Sequence, residues 1–400
     1  MAVSVALITL LGFFFNYIFE KIKLPGLVGM LLVGVLCGPY VFDIISPELL
    51  KVSSDFRMVA LIVILLRAGL ELRKDTLNKV GKTAITMSCV PAVFEGVVIT
   101  LMGPWALGLS YLESAILGSI VAAVSPAVVV PLMINLIEKK RGTKKGIPTL
   151  LLSASSVDDV FVIVIFTILL GMYSGSDGAG LWKLLEIPES IIFGIIAGSV
   201  IGYIIYRLFE HYNFRATKMT IALICVSIIL TWLEDKLKTR LAMSSLLGVM
   251  TIGFVILEKS EIRAHKISQK LSKVWIFAEI LLFVLVGAQV NVQVAWQAGL
   301  AGSALIIVGL LARSAGTYLS VLGAGFNMKE KLFCVISYIP KATVQAAIGA
   351  VPLEMGVAGG EIILSIAVLS IILTAPLGAI GITLTGDRWL EREEGSSKDE

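Results

Sequence analysis

The sequence is short of charge. Only 16% of its 400 residues are Asp, Glu, Lys or Arg, against about a quarter in an ordinary soluble chain. No segment between the apolar runs is long enough to fold as a separate soluble domain. Histidine is nearly absent, with two residues, His211 and His265, both in basic loops. The four cysteines, Cys37, Cys89, Cys225 and Cys334, all fall inside apolar runs. Close loop spacing, as in a disulfide framework or zinc site, is missing. No nucleotide, nucleophile or metal motif is present, so neither an enzyme nor a cofactor is expected.

What the sequence has instead is oil. Apolar runs of about 17–25 residues recur from end to end, the length of a membrane-crossing helix. The alternation of a membrane β-barrel is absent. The chain reads as an all-α polytopic membrane protein, one transmembrane unit over residues 1–400. About thirteen segments are expected, near 3–19, 26–42, 56–72, 83–103, 113–135, 148–172, 190–209, 217–233, 240–257, 273–290, 299–322, 331–351 and 359–384. Turn signals such as Leu24-Pro25-Gly26, Gly103-Pro104 and Gly325-Phe326-Asn327 separate them. The first segment lacks a basic n-region and a small-residue cleavage site, so it reads as a retained helix. Residues 387–400 form a short charged tail, expected to be disordered.

Most of the 33 Lys and Arg fall in the odd-numbered loops and the C-terminus. The positive-inside rule then puts the N-terminus outside and the C-terminus in the cytoplasm. The stretch Glu234–Arg240 is a local exception. With no targeting segment, the plasma membrane is the expected location. This asymmetry accounts for the net charge of +4 without nucleic acid as a partner.

The chain repeats itself. Gly29 and Gly34 recur as Gly248 and Gly253, an offset of 219, and Gly69 recurs as Gly287, an offset of 218. Segments two to six thus map onto nine to thirteen, giving repeats of about 24–172 and 240–384. Five spans per repeat is an odd number, so the two copies insert with inverted topology, as in secondary transporters. The matched fifth and twelfth segments both carry proline: Pro126 and Pro131 in one, Pro340 in the other. Matched interrupted segments point to broken helices at a binding site, where freed carbonyls and helix ends act as fixed partial charges.

Charges inside the apolar runs are few. Asp158 and Asp159 sit side by side in SASSVDDVFVIVIF, a run without a base. An ionised group at the membrane centre costs about 2.5–3.5 kcal/mol on insertion scales. Such a pair marks a site rather than a structural accident. Glu95 and Arg313 lie 218 residues apart, at matching positions of the two repeats, and opposite charges so placed are expected to touch. Lys341, beside Pro340, can compensate facing helix ends or reach Asp158. That leaves Asp159 as the carboxylate most available to a cation, with neutral oxygens from Ser125 and from Ser155 or Ser156. Sodium and lithium are hard cations suited to such oxygens. Arg67 and Glu71 are spaced to pair on one helix or to lie near the interface by snorkelling, and Glu279 is a secondary candidate.

These residues resemble the cation:proton antiporter superfamily in its two-aspartate branch, nearest the B-type sodium/hydrogen exchangers of solute carrier family 9 and their prokaryotic relatives. The stretches that carry the likeness are LLRAGLEL (65–72), VSPAVVVP (124–131), GIPTLLLSASSVDD (146–159) and IPKATVQAAIG (339–349). The resemblance implies a dimer domain and a mobile core, two discontinuous helices that cross, and a homodimer. It implies that Asp159 binds the monovalent cation while Asp158 assists, with Glu95, Arg313 and Lys341 as the buried charge set. The expected function is sodium or lithium exchange for protons by alternating access. The alternatives are potassium/proton exchange, or sodium-coupled symport of a small organic anion, for which the nearly all-apolar VSPAVVVP leaves little room. A passive channel would need a continuous polar pore. Arginine stands at position 313 where electrogenic relatives carry lysine. It stays protonated at physiological pH, so one-for-one exchange is expected.

Overall fold

The computed structural model describes residues 1–22, 24–71, 81–174, 183–212, 214–237 and 243–392. The described residues form helices and no named strand. In chain order they are α1 (Ala2–Lys21), α2 (Gly26–Cys37), α3 (Pro47–Lys51), α4 (Ser53–Glu71), α5 (Gly81–Leu107), α6 (Tyr111–Val121), α7 (Pro126–Glu138), α8 (Ile147–Ser174) and α9 (Lys183–Tyr212). There follow α10 (Ala216–Leu237), α11 (Ser245–Lys259), α12 (Glu261–Ala288), α13 (Val292–Ser320), α14 (Met328–Ser337), α15 (Thr343–Ile348), α16 (Val351–Glu354) and α17 (Gly360–Trp389).

Each of the thirteen expected segments overlaps one of these helices or a broken pair of them. Among the described residues, nine segments are long and apolar enough to cross a membrane, the broken pair Tyr111–Glu138 counting as one. Large apolar side chains cover the outside: Trp105 and Leu300 are 89% exposed and Trp296 86%. That surface is stable only against hydrocarbon.

Prolines break two segments, though not at every proline. Pro126 is the first residue of α7. Its ring disfavours helical geometry in the residue before it, and Ser125 is extended, with φ −93° and ψ 110°. The chain is therefore non-helical over residues 122–125. Pro340 sits in the matching interruption between α14 and α15. Pro131, by contrast, lies within α7 and makes no break. Gly103-Pro104 does not end α5 either. The helix runs to Leu107 and stops at Gly108, whose φ of +69° is the left-handed conformation that closes helices.

Two capping boxes start the broken segments. Ser110 Oγ accepts from Glu113 N at 3.2 Å while Glu113 Oε2 accepts from Ser110 N at 2.8 Å. Asn327 Oδ1 accepts from Glu330 N at 2.9 Å while Glu330 Oε2 accepts from Asn327 N at 2.7 Å. Each box satisfies two of the donors a helix start leaves free. Both boxes also tie down a second element. Glu113 Oε1 accepts from Gly359 N at 2.8 Å, at the start of α17. Glu330 Oε2 accepts from Lys145 Nζ at 2.8 Å, which raises the affinity of that loop ammonium for its proton. On this second face Lys139 pairs with Asp387 at 3.3 Å, and Gly142 N donates to Glu391 O at 2.9 Å. The loops before α8 and α14 and the end of α17, expected on one side of the membrane, thus meet there. The tail beyond Arg392 and residues 238–240 of the basic stretch lie outside the described residues.

The chain forms two compact units. The first comprises Met1–Phe14, Met30–Thr76 and Val164–Gln289, the second Phe15–Gly29, Leu77–Ile163 and Val290–Glu400. Within the first, small residues let backbones touch, as membrane helix pairs require. A Cβ on Gly34 would lie 2.1 Å from Val284 O, and one on Gly287 2.3 Å from Leu31 O. A Cβ on Gly69 would lie 2.0 Å from Met250 O, and one on Gly253 2.6 Å from Leu66 O. Gly34 and Gly253 correspond under the sequence offset, as do Gly69 and Gly287. The α2–α12 contact and the α4–α11 contact therefore interchange under the sequence offset. Glu279, on α12, is half-buried in this unit and not part of the charge cluster described below. Arg67 is half-buried too, and the side chain of Glu71, its expected partner, is outside the described residues.

Candidate cation site at two crossed helix breaks

All of the remaining candidates belong to the second unit. Its two breaks touch: Ser125 N donates to Pro340 O at 2.8 Å. A helix that stops inside a membrane leaves its last carbonyls without partners and a partial negative charge at its end. Here four consecutive carbonyls at the end of α6 are taken by side chains. Gln345 Nε2 donates to Ile120 O at 3.0 Å and to Ala123 O at 2.9 Å. Lys341 Nζ donates to Val121 O at 2.6 Å. Arg313 Nη1 donates to Ala122 O. Arg313 also closes the end of α14, its Nε donating to Tyr338 O at 2.7 Å.

The same cations hold the buried acids. Arg313 Nη1 donates to Glu95 Oε2 at 3.1 Å, the contact anticipated from the repeat. Its Nη2 lies 3.4 Å from both oxygens of Asp158. Asp158 Oδ2 also accepts from Val124 N at 2.7 Å, next to the amino end of α7, where a helix favours negative charge. Lys341 Nζ lies 2.8 Å from each oxygen of Glu95. Glu95, Asp158 and Lys341 are 0% exposed and Arg313 1%.

The geometry decides between the two roles open to Lys341. It compensates a helix end, its acid is Glu95, and the base on Asp158 is Arg313. The guanidinium is the reason. Its planar fork carries five donors, so one side chain from α13 reaches both breaks and two acids at once. The ammonium of Lys341 is a compact charge and serves only what lies next to it.

Charge balances within this set, two acids against two bases. Asp159 is the acid left over. It is the next residue along α8, pointing about 100° away from Asp158. It is half-buried, and its Oδ1 is a buried atom without a hydrogen-bond partner among the described residues. Ser155 stands one turn earlier on the same face of α8. It is buried, and its hydroxyl donates to Leu152 O at 3.1 Å, which leaves its oxygen lone pairs for another partner. Ser125, also buried, presents an Oγ with no hydrogen-bond partner among the described residues. The side chain of Ser156 is outside the described residues.

Two participants were not singled out from the sequence. Gln345 is a wholly buried amide, and its presence in the apolar VQAAIG, four residues after Lys341, was the available signal. Thr374 accepts from Lys341 N at 3.0 Å, one weakly polar residue in an apolar helix, for which no signal existed.

Compensated charges buried where two interrupted helices cross, inside an apolar helical protein, define a secondary active transporter. Comparison with known proteins agrees. The family described as sodium/hydrogen exchanger, transmembrane, matches residues 4–386. Sodium/hydrogen exchanger 9B2 of Homo sapiens is 34% identical over 392 residues, covering 94% of this chain and 72% of the relative. Sodium/hydrogen exchanger 9B1 of Homo sapiens is 30% identical over 387 residues, covering 94% and 74%. In fold, the chain is similar to the sodium proton antiporter MjNhaP1 from Methanocaldococcus jannaschii. The TM-score is 0.83 at 20% identity, over 96% of this chain and 97% of that one. The chain belongs to the sodium/hydrogen exchanger family.

Proposed function

We propose that this family member exchanges sodium or lithium for protons at Asp159, one ion at a time. The observation that carries the proposal is the leftover charge. Glu95 and Asp158 are matched by Arg313 and Lys341, and among the described residues Asp159 is not. An uncompensated carboxylate in a membrane core is costly, so it stays neutralised by whatever it can bind. At low pH that is a proton, at high pH a hard monovalent cation. Alternating access carries either species across, while the empty charged site crosses poorly. Competition for one carboxylate couples the two fluxes. Asp158 assists by its negative field, and Ser125 and Ser155 supply neutral oxygens.

The names of the 9B relatives support sodium over potassium as the cargo. The nearly apolar Val124–Pro131 stretch argues against an organic co-substrate. The interchange of glycine contacts under the 218–219 offset supports inverted repeats at about 24–172 and 240–384. A homodimer in the plasma membrane, N-terminus outside and C-terminus cytoplasmic, completes the reading. The family likeness supports the first and the distribution of Lys and Arg the last.

The test is a pH-dye dequenching assay in proteoliposomes, with sodium, lithium and potassium added in turn. Sodium and lithium are expected to release the proton gradient and potassium is not. Release by potassium alone would reassign the cargo, and release by none would remove the exchange itself.

A further inference from the structure

Gln345 belongs to no charge pair, yet it is tied to Asp158 through a single peptide group. Its Nε2 donates to Ala123 O at 2.9 Å. The carbonyl of Ala123 and the amide N–H of Val124 are the two ends of one peptide unit. That N–H donates to Asp158 Oδ2 at 2.7 Å. A trans peptide is planar, with its C=O and N–H pointing in opposite directions. Holding the carbonyl therefore aims the N–H. A donor on the carbonyl also polarises the unit and strengthens the bond at its other end, here a charge-assisted one.

The surroundings leave this peptide little else to hold it. It lies in the break, so no helical hydrogen bond fixes it. Its neighbours are held separately, Ala122 O by Arg313 and Ser125 N by Pro340 O. Gln345 does this work without charge. A lysine or arginine in its place would add a third buried base and cancel the leftover charge on Asp159. An amide sets geometry and leaves the charge count alone.

We propose that Gln345 is a positioning residue for cation binding: by orienting the Ala123–Val124 peptide it fixes the carboxylate of Asp158 beside Asp159. The inference rests on the reading that the aspartate pair holds the ion. It differs from a plain helix cap in what it should change. A cap would affect stability alone, whereas a residue acting through Asp158 changes sodium affinity and ceases to matter once Asp158 is gone.

The experiment measures sodium-dependent thermal stabilisation of the purified full chain in detergent, with the sodium KM and maximal rate in proteoliposomes. Gln345→Leu is expected to raise the sodium concentration for half-stabilisation, and the KM, roughly tenfold, the scale of one net hydrogen bond, with a much smaller change in maximal rate. In an Asp158→Asn background the same substitution should add nothing to the half-stabilising concentration. Gln345→Met, flexible and similar in length, is the second variant should the leucine fail to fold. An unchanged sodium midpoint in either variant overturns the proposal. So does a full additional shift in the Asp158→Asn background. Misfolding of both Gln345 variants while Asp158→Asn folds would also overturn it, because a residue acting on Asp158 cannot be needed more than Asp158 itself. Asp159→Asn in the same assay separates the two readings: if it keeps sodium stabilisation, the ion site is misassigned, whatever Gln345 does.

Discussion

Arg313 Nη1 donates to Glu95 Oε2 at 3.1 Å across 218 residues of sequence, and Lys341 Nζ sits 2.8 Å from the same carboxylate. Glu95 is thus shared between two buried bases. Glu95→Gln would leave both facing a neutral amide, and removing one partner of a buried pair costs about 3–5 kcal/mol. The expected result is a large loss of folded protein, read by size-exclusion yield and thermal melting. For an isolated pair, exchanging the charges would restore folding. Here the exchange, Glu95→Arg with Arg313→Glu, would set the new guanidinium against Lys341. The swapped double mutant is therefore expected to do no better than Glu95→Gln. Recovery in the swap would show that Lys341 is not held by Glu95.

Asp159→Asn is expected to abolish exchange, because an amide cannot alternate between proton and cation. It should fold well, since Asp159 lies outside the balanced set. Asp158→Asn removes a partner of Arg313 and is expected to weaken exchange while leaving some. Proteoliposome assays with purified protein decide both. Sodium-driven exchange at the normal rate in Asp159→Asn would sink the assignment.

Exchange is expected to be electroneutral. One titrating carboxylate releases one proton for each monovalent cation bound. Arg313 stays protonated at physiological pH and supplies no second proton, and Lys341 is held by Glu95 and the Val121 carbonyl. A potassium gradient with valinomycin imposes a voltage on proteoliposomes. The rate should not follow it, and sodium should elicit no turnover-linked current on a solid-supported membrane. A rate that tracks the voltage would make Lys341 a proton carrier.

Gly34→Val and Gly69→Val test the repeat. Each would drive a Cβ into a carbonyl of the facing helix, 2.1 Å from Val284 O and 2.0 Å from Met250 O. Overpacking of this kind costs roughly 1–3 kcal/mol. Because the two contacts are equivalent under the repeat, thermal melting should fall by similar amounts. A large fall in one and none in the other would separate the two halves.

The helical membrane fold was legible in residues 1–400 because hydrocarbon permits so little. Backbone polar groups must pair within a segment, so an apolar run of the right length is a helix. The broken helices were legible because matched segments of the two halves both carry proline, Pro126 in one and Pro340 in the other, and the residue before a proline is disfavoured in a helix. Pro131 and Gly103-Pro104 misled, since a membrane helix accommodates a proline when its neighbours satisfy the freed groups. The repeat offset marked Glu95 and Arg313 as partners, because two-fold symmetry brings equivalent positions together near its axis. What tertiary structure alone decided was who shares with whom. Lys341 chose Glu95, and Arg313 took Asp158 as well as both helix ends. Gln345 gained its place through a peptide that contains neither residue of interest. Sequence counts buried charges and finds Asp159 left over. The reach of a guanidinium and the direction of a carbonyl depend on the packing of distant segments, and no local pattern of residues encodes that.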